Sequence, residues 1–170
     1  MNRKQRSPTE TLALKAARRR SLIFLTAALA LSVLMLALSS EFLALQCVVL
    51  AALTLGTGIS CASAANDIDA KAAAPAAARA GVLAAMAYVM PLILVVFYRF
   101  VTLDAAGAAR LAGQLSAAQA TSLIQANITP GLEYFRGQYV SYIFGYFLFG
   151  LLFGWGFGAF GRILARRLQS

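Results

Sequence analysis

Residues 138–167 read QYVSYIFGYFLFGLLFGWGFGAFGRILARR, and this stretch decides the fold class. Residues 137–161 carry no charge. As a helix they would span about 37 Å, enough to cross the roughly 30 Å hydrocarbon core of a bilayer with some tilt. Gly150, Gly154, Gly158 and Gly161 recur at spacings of four, four and three, so they share one helix face. Phe149, Phe153, Phe157 and Phe160 repeat the pattern one residue earlier as an adjacent ridge. A face without side chains suits close helix contact in lipid, where van der Waals packing drives association because the hydrophobic effect between helices is absent. Lipid-facing phenylalanines with merely tolerated glycines are the competing reading. The in-phase glycine run favours packing, with partners inside this chain ahead of a second copy.

Composition agrees. The chain is 61% apolar and 12% charged with a mean hydropathy of +0.74, whereas soluble domains run near half apolar and about 25% charged. The expected fold is all-α: an integral membrane four-helix bundle with a short helical extracytoplasmic loop between the third and fourth spans. The expected spans are 21–40, 42–66, 80–100 and 137–162, preceded by a basic tail, 1–20, and interrupted by an outer loop, 101–136.

The net charge of +9 is set around the apolar runs, which points to topology and not to nucleic acid. Ser7-Pro8-Thr9-Glu10 has the form of a capping box, with proline at the first helical position. A helix beginning there would run unbroken into the first span, as an uncleaved anchor. Arg18, Arg19 and Arg20 mark the membrane entry; Arg166 and Arg167 follow the last span. These arginines read first as topology anchors, with anionic lipid headgroups as a further contact.

Ser39-Ser40-Glu41 leaves little room for a loop, so the second span should fold straight back. In that span Ala44, Cys47, Ala51, Thr54, Gly58, Cys61 and Ala65 alternate in steps of three and four. All are small, which reads as a seam for a close helix crossing, with both cysteines as packing residues. Residues 63–79 read as a polar, alanine-rich connection in which Pro75 opens the third helix. Pro91 should kink that helix. In the outer loop Asp104 is expected to cap one short helix, and Ser116 with Gln119 a second, ending in the Thr129-Pro130-Gly131 turn. Glu133 and Arg136, three apart, are expected to pair on the surface of the last helix.

Four spans place both termini on one side. That side carries twelve of the fifteen lysines and arginines; Arg99, Arg110 and Arg136 are the other three. The asymmetry predicts a cytoplasmic (inner) membrane protein with cytoplasmic termini and an extracytoplasmic loop.

The chemistry-bearing residues are few. There is no histidine, and no acidic residue falls inside an uncharged run. No catalytic, cofactor-binding or metal-binding residue is therefore assigned, and the expectation is a non-enzyme without cofactors. The assigned positions are the helix-packing residues Gly150, Gly154, Gly158, Gly161, Ala51, Thr54, Gly58 and Cys61, and the membrane-surface basic residues Arg18, Arg19, Arg20, Arg166 and Arg167. The expected partners are the lipid bilayer and other membrane protein subunits or further copies of the chain; nucleic acid is not expected. The leading function is an accessory, assembly or regulatory subunit of a membrane complex. An oligomeric transporter or channel is the alternative, with the Pro91 kink, Gln46, Thr54, Thr57 and Ser60 along its path. An envelope or lipid enzyme is the least supported.

Overall fold

The computed structural model describes residues 8–37, 43–69 and 71–169. They form six helices: α1 (Pro8–Ala37), α2 (Leu43–Asn66), α3 (Ala73–Thr102), α4 (Ala105–Gly113), α5 (Ala117–Gln125) and α6 (Leu132–Gln169). No strand occurs among the described residues. Four of the helices, α1, α2, α3 and α6, are long and apolar enough to cross a membrane. Ser7 and the Ser39-Ser40-Glu41 connection lie outside the described residues.

The helices are longer than the uncharged runs. The helix α2 continues to Asn66 and α3 already starts at Ala73, so the connection expected over 63–79 shrinks to a tight link beyond Asn66. There Asp69 accepts from the Lys71 amide (2.9 Å) and Ala72 N–H donates to the Asp69 carbonyl (3.0 Å). The alanines on either side of Arg79 are strong helix formers, and one exposed charge does not end a helix. At the other end α6 begins at Leu132, five residues before the uncharged run.

The chain divides into two compact units. One comprises the chain up to Leu92 together with everything from Phe147 onward; the other is Ile93–Tyr146. In the first unit the core is built mainly from alanine. Ala13 and Ala17 of α1 meet Cys61 and Ala65 of α2 and Ala73, Ala76 and Ala80 of α3. A second cluster joins Ala62 of α2, Ala77 of α3 and Ala165 of α6. Among the described residues Leu50, Tyr88 and Val89 are the large apolar side chains with almost no exposure. Small residues bring helix axes close, which in lipid is the main route to a tight interface.

The outward faces are apolar too. Leu22, Ile23, Val33, Val48, Leu83, Leu94, Leu152 and Trp155 are all more than half exposed. Such a surface far exceeds the isolated apolar patches of a protein in water and matches a hydrocarbon surround. Of the most apolar 18-residue windows, those in α2 and α3 are 44% buried, against 22% in α1 and 17% in α6. The inner pair is therefore α2 and α3, with α1 and α6 more open to their surroundings.

In the second unit the short helices are closed by local capping. Asp104 accepts from the Gly107 amide at 2.7 Å to start α4. Ser116 and Gln119 complete a reciprocal capping box for α5. Asn127 ends α5 in the left-handed region at φ 58°. The Ile128 amide reaches the Leu123 carbonyl (2.9 Å) and the Asn127 amide the Ile124 carbonyl (3.0 Å), the two bonds of a Schellman motif. The pairing expected between Glu133 and Arg136 does not form. Arg136 instead donates from a terminal guanidinium nitrogen to the Leu103 carbonyl at 3.2 Å and lies 5.9 Å over the Phe100 ring. A carbonyl just past the end of α3 has no partner further along that helix, so it is a stronger claimant than a solvated carboxylate.

Candidate helix-packing site

The glycines of α6 fall into two groups. Gly150, Gly154, Gly158 and Gly161 are buried; Gly145 and Gly156 are exposed, with nothing within 4 Å of where a Cβ would stand. The buried group meets backbone directly. A Cβ on Gly158 would come 2.8 Å from the Ala77 carbonyl oxygen and 3.1 Å from Gly81 Cα. One on Gly154 would come 2.7 Å from Val82 Cα and 2.9 Å from Ala85 Cβ. One on Gly161 would come 2.7 Å from the Ile59 nitrogen of α2. At Gly150 the neighbours are side chains, with Val89 Cγ2 at 3.0 Å.

The contact is reciprocal. A Cβ on Gly58 of α2 would lie 2.6 Å from the Gly158 carbonyl oxygen. One on Gly81 of α3 would overlap the Gly154 carbonyl oxygen and stand 2.7 Å from Gly158 Cα. Three helices thus meet at glycine, with Gly158 touching both of the others. Gly81 was not among the assigned residues. Its signal was present in the spacing Ala77, Gly81, Ala85, a small residue every fourth position, but it is easily lost in an alanine-rich helix.

The α2 seam does not serve a single neighbour. Gly58 faces α6, whereas the Cys61 thiol is fully buried and donates to the Ala17 carbonyl of α1 at 3.4 Å. Ala51 is half-buried. Thr54 is fully buried and turns its hydroxyl back to the Leu50 carbonyl at 2.8 Å; Thr57 does the same to Leu53 at 2.6 Å. An inner helix has neighbours on several sides, so its small residues are shared among them.

The phenylalanine ridge runs along α6 as a ladder, with ring centroids 4.0 Å apart for Phe149 and Phe153 and 5.1 Å for Phe153 and Phe157. Phe153, Phe157 and Phe160 border an open apolar groove with Leu152 and Gly156. Tyr139 and Trp155 line different pockets. Arg18, Arg19, Arg20, Arg166 and Arg167 are exposed. Among the described residues no three His, Cys, Asp or Glu side chains gather as a metal site would require.

No family model, curated protein or solved structure matches the chain.

Proposed function

We propose that this chain is a small integral membrane protein that works by helix packing, as an accessory, assembly or regulatory subunit of a membrane complex. The observation that carries the reading is a second small-residue face on α6. Gly137, Ser141 and Gly145 follow one another at four-residue spacing, all exposed, with open space at both glycines. The Ser141 hydroxyl is turned to its own helix, on the Gly137 carbonyl at 3.0 Å. The face is therefore flat and already satisfied in hydrogen bonding, as a close helix contact in lipid requires. On the charge asymmetry, the chain sits in the cytoplasmic membrane with both termini cytoplasmic and α4 and α5 on the outer side.

A conducting path would need polar groups free to face water. Thr54 and Thr57 are fully buried and bonded to their own helix, which weighs against that reading.

The experiment is extraction of the full chain from its native membrane in mild detergent, with mass measurement and identification of co-purifying proteins. A defined hetero-complex, lost in Gly145→Leu while the chain itself stays folded, supports the proposal. A homo-oligomer alone would transfer support to the transporter reading, and a monomer would overturn both.

A further inference from the structure

The unit Ile93–Tyr146 holds an open pocket of about 340 Å³ lined by Arg99, Thr102, Leu103, Asp104, Gly107, Arg110, Leu111, Gln114 and Tyr139. Its volume is within the range of small-ligand sites, about 300–1,000 Å³. Two arginines share it with one carboxylate, and that carboxylate is engaged: Asp104 accepts from the Gly107 amide as the cap of α4. Among the described residues neither the Arg99 nor the Arg110 guanidinium has a hydrogen bond or ion pair; the Arg99 carbonyl accepts from the Leu103 amide at 3.0 Å. Arg136, close by in sequence to Tyr139, is occupied with the Leu103 carbonyl.

The setting adds a second observation. Arg99 is the first charge after the apolar run of α3, preceded by the exposed aromatics Phe97 and Tyr98. Aromatics at the end of a membrane-length helix belong at headgroup depth, where lipid phosphates lie. The guanidinium fork matches two oxygens of a phosphate, and the amide of Gln114 and the phenol of Tyr139 are further donors in the same wall. Leu103 and Leu111 supply an apolar side suited to a glycerol backbone.

We infer that this pocket binds a phosphate group through Arg99 and Arg110, that of an anionic phospholipid or free inorganic phosphate. The site shares no residue with the glycine contacts and does not depend on the subunit reading.

The test uses the full chain in neutral detergent with phosphatidylglycerol, phosphatidylcholine and inorganic phosphate as separate probes. Bound lipid is read by native mass spectrometry, and phosphate by calorimetry. Either phosphatidylglycerol retained in preference to phosphatidylcholine or saturable phosphate binding is expected, weakened at least tenfold in Arg99→Gln/Arg110→Gln. Retention of the lipid in millimolar phosphate identifies the lipid as the ligand; binding of phosphate with displacement of lipid identifies the free anion. Arg99→Lys/Arg110→Lys keeps the charge and loses the fork, and should fall between wild type and the glutamine variant. Both arginines are exposed, so the glutamine variant should retain wild-type helicity and melting. Binding unchanged in that variant overturns the proposal, as does loss only on replacing Arg18, Arg19 and Arg20, or no preference for phosphatidylglycerol and no phosphate binding.

Discussion

Gly58 of α2 and Gly158 of α6 meet backbone to backbone: a methyl group on Gly58 would lie 2.6 Å from the Gly158 carbonyl oxygen and 3.0 Å from its Cα. No rotamer change relieves that overlap, because what it strikes is main chain. The two helices would have to move apart.

Gly58→Ala, Gly81→Ala and Gly158→Ala are therefore each expected to destabilise the first unit, by about 1–3 kcal/mol as overpacking does elsewhere. Gly156→Ala, on the same helix but with open space around it, should cost nothing. Thermal unfolding of the detergent-purified variants, followed by circular dichroism, separates the two groups. Equal behaviour of Gly156→Ala and Gly158→Ala would refute the contact.

Two buried hydroxyls should respond in opposite directions. Ser32 is fully buried and its oxygen has no hydrogen-bond partner. Ser32→Ala removes an unsatisfied polar atom and should stabilise, by up to about 1 kcal/mol. Thr54→Val removes a hydroxyl bonded to the Leu50 and Ala51 carbonyls and should destabilise by about 1 kcal/mol or less. The same unfolding assay reads both.

The left-handed backbone at Asn127 makes a third expectation. Asn127→Gly should preserve α5, because glycine adopts positive φ without strain. Asn127→Val should cost about 1–3 kcal/mol and loosen the end of the helix. Hydrogen exchange at the Asn127 and Ile128 amides, which close the Schellman motif, is the measurement.

Arg136→Ala should destabilise the second unit, since it strips the Leu103 carbonyl of its donor and Phe100 of a cation. Glu133→Gln should leave stability unchanged, because the carboxylate is exposed and does not pair with Arg136. Proteolysis within 103–131 gives the comparison.

What could be read from the sequence was mostly local or periodic. The caps at Asp104 and Ser116 were legible because capping couples residues three apart. The shared face of Gly150, Gly154, Gly158 and Gly161 followed from helical period alone. Their neighbours did not, since Gly81 meets Gly158 only after the chain has crossed and returned. The helices extend beyond the uncharged runs: Arg79 lies inside α3, and Glu133 and Arg136 inside α6. Charge marks where a helix leaves the apolar layer, which is a different place from where its hydrogen bonds stop. Arg136 could be assigned to Glu133 only by neglecting a carbonyl 33 positions back in the chain.

The meeting of Gly58, Gly81 and Gly158 bears on how the fold assembles. In water a glycine weakens a helix by giving the unfolded backbone more freedom. In lipid each helix forms on insertion, before it meets its neighbours, because unsatisfied backbone cannot stay in hydrocarbon. By then that freedom is already gone. Glycine has no rotamers to immobilise, so docking at these three positions carries almost no ordering entropy.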